Sequence, residues 1–78
     1  MKKFKVEIAT LARVTDYFWD SDMVPDTVPA ENKEEAFELA KQYLLDTGTP
    51  EKEFFNLIFR ITDIDTDGFL IKGGWEND

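Results

Sequence analysis

The run Asp63-Ile64-Asp65-Thr66-Asp67-Gly68 places three aspartates at alternate positions ahead of a glycine. This is the first half of an EF-hand loop, in which alternate carboxylates converge on one hard cation and glycine permits the sharp turn. The second half is missing. The twelfth position, which needs a bidentate glutamate, is Gly74, and the residues before Asp63 alternate like a strand instead of repeating like a helix. The motif therefore reads as an Asp-Gly hairpin with solvated carboxylates, and no metal or cofactor is expected. A structural or calcium-binding role for Asp63, Asp65 and Asp67 is the alternative reading.

A second group mixes aromatic and acidic side chains. In Asp16-Tyr17-Phe18-Trp19-Asp20-Ser21-Asp22-Met23-Val24-Pro25-Asp26, large apolar groups lie among aspartates. Aromatic anchors rimmed by charge are the usual make-up of a protein-binding hot spot. Glu31, Glu34, Glu35 and Glu38 crowd the start of the helix that follows. The candidate partner-binding residues are Asp16, Tyr17, Trp19, Asp20, Asp22, Asp26, Glu31 and Glu34. Each also has a plainer role. Phe18 continues a core stripe, Tyr17 or Trp19 covers the second face of a sheet, and acids in a first helical turn suit the helix dipole.

Catalysis finds little support. The chain has no cysteine and no histidine, so the common nucleophile, general base and zinc ligands are all missing. No acid sits in an apolar sequence context that would raise its pKa, and Gly48, Gly68, Gly73 and Gly74 form no phosphate-binding loop. The sequence predicts a non-enzymatic chain. Seventeen acids oppose nine bases, a net charge of −8. Residues 1–13 carry Lys2, Lys3, Lys5 and Arg13 against Glu7 alone, a net of +3, which leaves −11 for the rest. Phosphate backbones and anionic membranes are repelled by such a surface, and a basic protein partner is attracted. No apolar run reaches the ~20 residues of a membrane span, and no signal-peptide pattern opens the chain, so a cytoplasmic location is expected. Oligomeric state is not legible.

The elements follow from periodicity. Phe4, Val6, Ile8, Thr10, Ala12 and Val14 alternate with mostly polar residues and predict a strand; a second strand over Val14–Trp19 is a weaker reading. Residues 20–29 read as loop, with a short extended piece at Thr27–Val28. Asn32 and Glu35 form a capping-box pair ahead of a helix whose apolar stripe is Ala36, Phe37, Leu39, Ala40, Tyr43 and Leu44, and Gly48 suits a left-handed C′ position. Thr49-Pro50-Glu51 opens a short extra turn with Pro50 at N1. Residues 54–65 predict a strand, with Phe55, Leu57, Phe59 and Ile61 on one side. Asp67-Gly68 predicts a two-residue type I′ turn that sets Thr66 opposite Phe69, Ile64 opposite Ile71, Asp63 opposite Lys72 and Arg60 opposite Trp75. One domain over residues 1–78 is expected. Its class is α+β: a small, mostly antiparallel sheet of three or four strands with one helix on one face, in the order β-(β)-α-β-β.

Lys5-Val6-Glu7-Ile8, Thr10-Leu11-Ala12-Arg13-Val14 and Val28-Pro29-Ala30 leading into Glu34-Glu35-Ala36 resemble the DpnD/PcfM-like small proteins of restriction loci and mobile elements. The likeness covers roughly the first half of the chain, which departs from the pattern by an insertion between Val14 and Val28 and by its own C-terminal hairpin. It implies a strand–helix layout and a phage or mobile-element origin, and it transfers no functional residue. Together with the charge it leads to one expectation: a small acidic protein-binding module, an inhibitor that occupies the basic nucleic-acid-binding surface of a host defence protein.

Overall fold

The computed structural model describes residues 2–10, 19 and 24–76. Strand β1 (Lys2–Thr10) is followed by β2 (Val28–Ala30), helix α1 (Lys33–Asp46), a 3-10 helix (Glu51–Asn56), β3 (Leu57–Asp63) and β4 (Phe69–Gly73). The strands form one antiparallel sheet in the order β2-β1-β3-β4. Because β2 and β3 both run antiparallel to β1, they are parallel to each other. The segment β2-α1-β3 is thus a split β-α-β unit with the N-terminal strand between its two strands. This is the expected α+β arrangement, with four strands.

Alternation decides which side chains meet the helix. Phe4, Val6 and Ile8 of β1 lie opposite Asp63, Ile61 and Phe59 of β3, and all six are buried. Val28 and Ala30 continue this layer from β2. The helix covers it with Ala36, Phe37, Ala40 and Leu44, spaced to fall on one face. Phe37 meets Phe59 edge-on, with centroids 5.2 Å apart, and Phe54 of the 3-10 helix meets the same ring at 6.5 Å. Leu39 and Tyr43 were expected in this stripe and are not in it, being 43% and 40% exposed. Lys41 takes a buried place instead. Its aliphatic stem packs inward while its ammonium lies 4.3 Å from the centre of the Phe37 ring.

The helix ends where the sequence predicts, and Asn32 caps its start, but Glu35 reaches one residue past the N-cap instead of completing the capping box on Asn32. The Asn32 side chain accepts from the Glu35 N–H at 2.7 Å, and the Glu35 carboxylate accepts from the Glu31 N–H at 3.2 Å. At the other end Thr49 N–H donates to the Leu44 carbonyl and Gly48 N–H to that of Leu45, a full Schellman motif with Gly48 at φ 102°.

Several expectations are corrected. Described β1 ends at Thr10, which is exposed, and the proposed strand Val14–Trp19 lies outside the described residues except for Trp19, which is not in a strand. The loop read over residues 20–29 ends early, because Val28 and Pro29 pair with β1. Proline is tolerated there because β2 is an edge strand. Pro50 is the N-cap of the 3-10 helix, not its first residue, and that helix displaces the start of the predicted strand. Phe55 consequently leaves the core, and Phe54 enters it.

The hairpin register also differs. Thr62 faces Phe69, Arg60 faces Ile71 and Phe59 faces Lys72. The shift is by an even number of residues, so every side chain keeps its predicted face. Its cause is local. The Asp63 carboxylate accepts from the Asp65 N–H at 2.9 Å, while the Asp63 carbonyl accepts from the Asp67 N–H at 2.8 Å. Asp63 N–H then closes on the Gly68 carbonyl, also at 2.8 Å. These bonds enclose a four-residue loop, Ile64–Asp67, in which Asp67 takes the left-handed conformation at φ 60° and Gly68 does not. The Asp63–Lys72 pair is replaced by an ion pair from Asp63 to Lys2 at 3.7 Å.

Two predictions follow from this loop. A type I′ turn would need positive φ at both Asp67 and Gly68, whereas here the requirement falls on Asp67 alone. Asp67→Val should therefore lower stability by about 1–2 kcal/mol, Asp67→Asn should be nearly neutral, and Gly68→Ala should be tolerated in urea denaturation. The Asp63 carboxyl is held below its ordinary value, chiefly by the Asp65 N–H and also by the Lys2 charge. Its stabilisation is complete above the ordinary carboxylate pKa and is lost as pH falls through the lower folded-state value. Asp63→Asn should flatten the loss of thermal stability below about pH 4, as read from melting temperatures across a pH series.

Candidate functional site

Four of the sequence-predicted residues, Asp16, Tyr17, Asp20 and Asp22, lie outside the described residues. The other four are spread over two sides of the sheet. Trp19 is half-buried beneath Arg60, whose guanidinium carbon lies 4.6 Å from the centre of the Trp19 ring. Arg60 pairs with Glu7 across the strands, its Nε and one terminal nitrogen donating to Glu7 Oε1 at 3.1 and 2.8 Å. This ion pair is on the face away from the helix, so Trp19 is too. Ala9 and Ile58 face each other on the same side and are buried although the helix is opposite. Glu34 lies in the first turn of α1 on the helix side, Glu31 just before that helix, and Asp26 ahead of β2; all three are exposed. Trp19 and Glu34 are therefore separated by the sheet.

The acidic loop makes few oxygens available for a cation. Asp63 directs its carboxylate to the Asp65 N–H and Lys2, and its side chain is only 5% exposed. No three acidic side chains converge as metal ligands among the described residues.

A groove of about 350 Å³ lies on the helix side between α1, the 3-10 helix and the residues after β4. Its apolar walls are Leu45, Phe54, Phe55 and Trp75, and Glu38, Lys41, Gln42 and Glu51 supply its polar lining. Helical spacing puts Glu38, Lys41, Gln42 and Leu45 along one strip of α1. The 3-10 geometry turns Phe54 inward and Phe55 outward, leaving Phe55 64% exposed. Trp75 is 45% exposed and lies against Gly73, where a β-carbon would come within 2.3 Å of the indole. At Gly74 a β-carbon would lie 2.3 Å from the Phe54 carbonyl oxygen, so the two walls touch through backbone.

Charge in the groove is mainly acidic at its rim. The Lys41 ammonium is bound to Glu38 at 3.2 Å and to the Glu76 carbonyl at 3.1 Å, with the Phe37 ring on a further side. Lys41 thus ties the residues after β4 to the helix. Glu51 is left to set the sign of the outer groove. None of Leu45, Phe55 and Trp75 stood out in the sequence as binding residues. The available signals were small: Leu45 falls off the helical stripe, and Thr49-Pro50-Glu51 begins a turn that breaks the alternation ahead of Phe55.

No family model, no curated protein sequence and no solved structure matches the chain. No described helix is long and apolar enough to cross a membrane.

The contact at Gly74 is between two backbones and cannot be relieved by a side-chain rotation. Gly74→Ala should therefore cost about 1–3 kcal/mol, as overpacking does, and change the near-ultraviolet circular dichroism of Trp75. Wild-type stability in denaturant would show that the walls do not meet in this way.

Proposed function

We propose that the chain is a non-enzymatic binding module whose partner is a basic protein segment, received in the groove on the helix side. The observation that carries this reading is the conjunction of two exposed aromatic rings, Phe55 and Trp75, with the Glu51 carboxylate around one concavity, where Glu38 is paired with Lys41. A ring in such a place supplies desolvated contact area, and a nearby guanidinium or ammonium gains from the ring face as well as from the carboxylate. The net charge of −8 adds long-range attraction and speeds encounter. The exposed acids Asp26, Glu31 and Glu34 add negative charge elsewhere on the molecule. A basic surface that ordinarily receives nucleic acid has the matching chemistry, so occupying such a surface, as an inhibitor of a defence protein would, is the role we favour.

The test uses a short peptide of alternating arginine and leucine, with a glutamate-for-arginine counterpart as control. The basic peptide should perturb the amide and side-chain resonances of Gln42, Phe55 and Trp75 and leave those of Phe69 and Ile71 unchanged. Binding should weaken as salt rises, since exposed charges are screened beyond about 8 Å at physiological ionic strength. Trp75→Ala should speed dissociation, and Glu51→Lys should slow association. Equal binding of the acidic counterpart, or perturbations scattered away from the groove, would remove the reading.

A further inference from the structure

The two edges of the sheet differ. The β2 edge is only three residues long and contains Pro29, two devices that discourage a further strand. The β4 edge has neither. Asp63 N–H donates to the Gly68 carbonyl and Gly74 N–H to the Leu57 carbonyl, which fixes the phase of the ladder between β3 and β4. Hydrogen-bonded and non-hydrogen-bonded pairs alternate in an antiparallel ladder, so Leu70 and Lys72 turn their backbone groups toward β3. Phe69, Ile71 and Gly73 turn theirs outward. The chain itself satisfies Gly73, whose N–H donates to Glu76 Oε2 at 2.6 Å and whose carbonyl accepts from Glu76 N–H at 3.0 Å. Phe69 and Ile71 have no such cap among the described residues. Their side chains are 62% and 50% exposed, on the face away from the helix.

We propose that β4 pairs antiparallel with β4 of a second copy of this chain across a two-fold axis, Phe69 of each opposite Ile71 of the other. The open groups select this register. Phe69 and Ile71 are two positions apart, so centring the axis on Leu70 makes both into hydrogen-bonded pairs, and each such pair exchanges two N–H···O=C bonds. A register centred on Phe69 would set Ile71 opposite Asp67, whose N–H is already bonded to the Asp63 carbonyl, and one centred on Ile71 would run into Gly73, capped by Glu76. The side chains agree with the backbone. Phe69 lies against the second copy's Ile71 twice, an aromatic–β-branched cross-strand pair, while the two Leu70 residues meet on the helix side. An isologous contact demands this self-complementarity. Lys72, the strand's one charged residue, comes opposite the second copy's Gly68, with that copy's Asp67 and Lys33 ammonium both near, so charge neither drives nor blocks the pairing. The product is a continuous sheet with the two copies' helices on one side, and the groove at Phe55 and Trp75 takes no part in it.

The test is sedimentation of the full chain from micromolar to millimolar concentration, in low salt and at about 0.5 M salt, where repulsion between two acidic copies is screened. A monomer–dimer equilibrium is expected, strengthened by salt, which is the opposite salt response to binding of a basic peptide. Ile71→Pro removes an outward N–H without breaking the ladder to β3 and should weaken dimerisation about tenfold or more. Ile71→Glu should do the same, and it carries the test if the proline variant does not fold. Amide exchange at Phe69 and Ile71 should slow as protein concentration rises, with no such change at the β2 edge. A monomer throughout the range, dimers undiminished in both variants, or exchange at Phe69 and Ile71 indifferent to concentration would each overturn the proposal.

Discussion

Phe59 is the residue through which the parts of this fold are joined. It lies in the inner strand β3, opposite Ile8 of β1 and Lys72 of β4. Its ring is fully buried, and Phe37 and Phe54 each meet it nearly perpendicular, at 83° between planes. One aromatic side chain thus ties the sheet to the helix and to the 3-10 turn that carries Phe55. Edge-to-face packing fixes orientation as well as distance, and in a chain with no disulfide this geometry is what holds the helix at one angle to the sheet. The groove inherits its shape from the same cluster, since Phe54 is both a partner of Phe59 and a groove wall.

The division of charge follows from the layout. The helix and the 3-10 turn bring Glu34, Glu38, Asp46, Glu51 and Glu53 to one side of the molecule, all exposed. On the other side, Lys3 and Lys5 project from β1 beside the Glu7–Arg60 pair. The uneven charge along the sequence is therefore also uneven in space. Alternation in β1 contributes to this, because it sends Phe4, Val6 and Ile8 to the helix and Lys3 and Lys5 to the opposite face.

Much of the fold was legible because the signals were local. Asn32 caps the helix where the pattern placed it, Gly48 ends it, and the apolar halves of β1 and β3 lie on one side. What was misread depended on competition between local structures. Asp-Gly favours a two-residue turn, but an aspartate at position 63 can close a hydrogen bond on its own backbone two residues ahead, and the longer loop prevailed. Leu39 and Tyr43 extend the helical stripe on a wheel, yet one sheet can cover only part of a helix, and the sequence does not say where its edge falls. Lys41 reads as a surface residue until the Phe37 ring and the Glu76 carbonyl are found beside it. The candidate site was the least legible part. The groove joins residues 38–55 to residues 74–75, and nothing in either stretch refers to the other. The aromatic and acidic run at residues 16–26 was conspicuous in sequence, yet of its aromatics the structure describes only Trp19, engaged with Arg60.

The place of β1 in the sheet has a kinetic consequence. The first strand of the chain is interior, and its longer ladder is with β3; the Glu7–Arg60 contact spans 53 residues of sequence. The helix can form early from its own caps, but it has no continuous surface to pack against until that distant pair closes. Closing so large a loop carries an entropic cost before any contact offsets it, and folds dominated by such pairings are slow for their size. During synthesis, β1 would therefore emerge and remain without its main neighbour until β3 had followed. Lys2, Lys3, Lys5 and Glu7, set among its apolar residues, leave no long apolar run in the waiting strand.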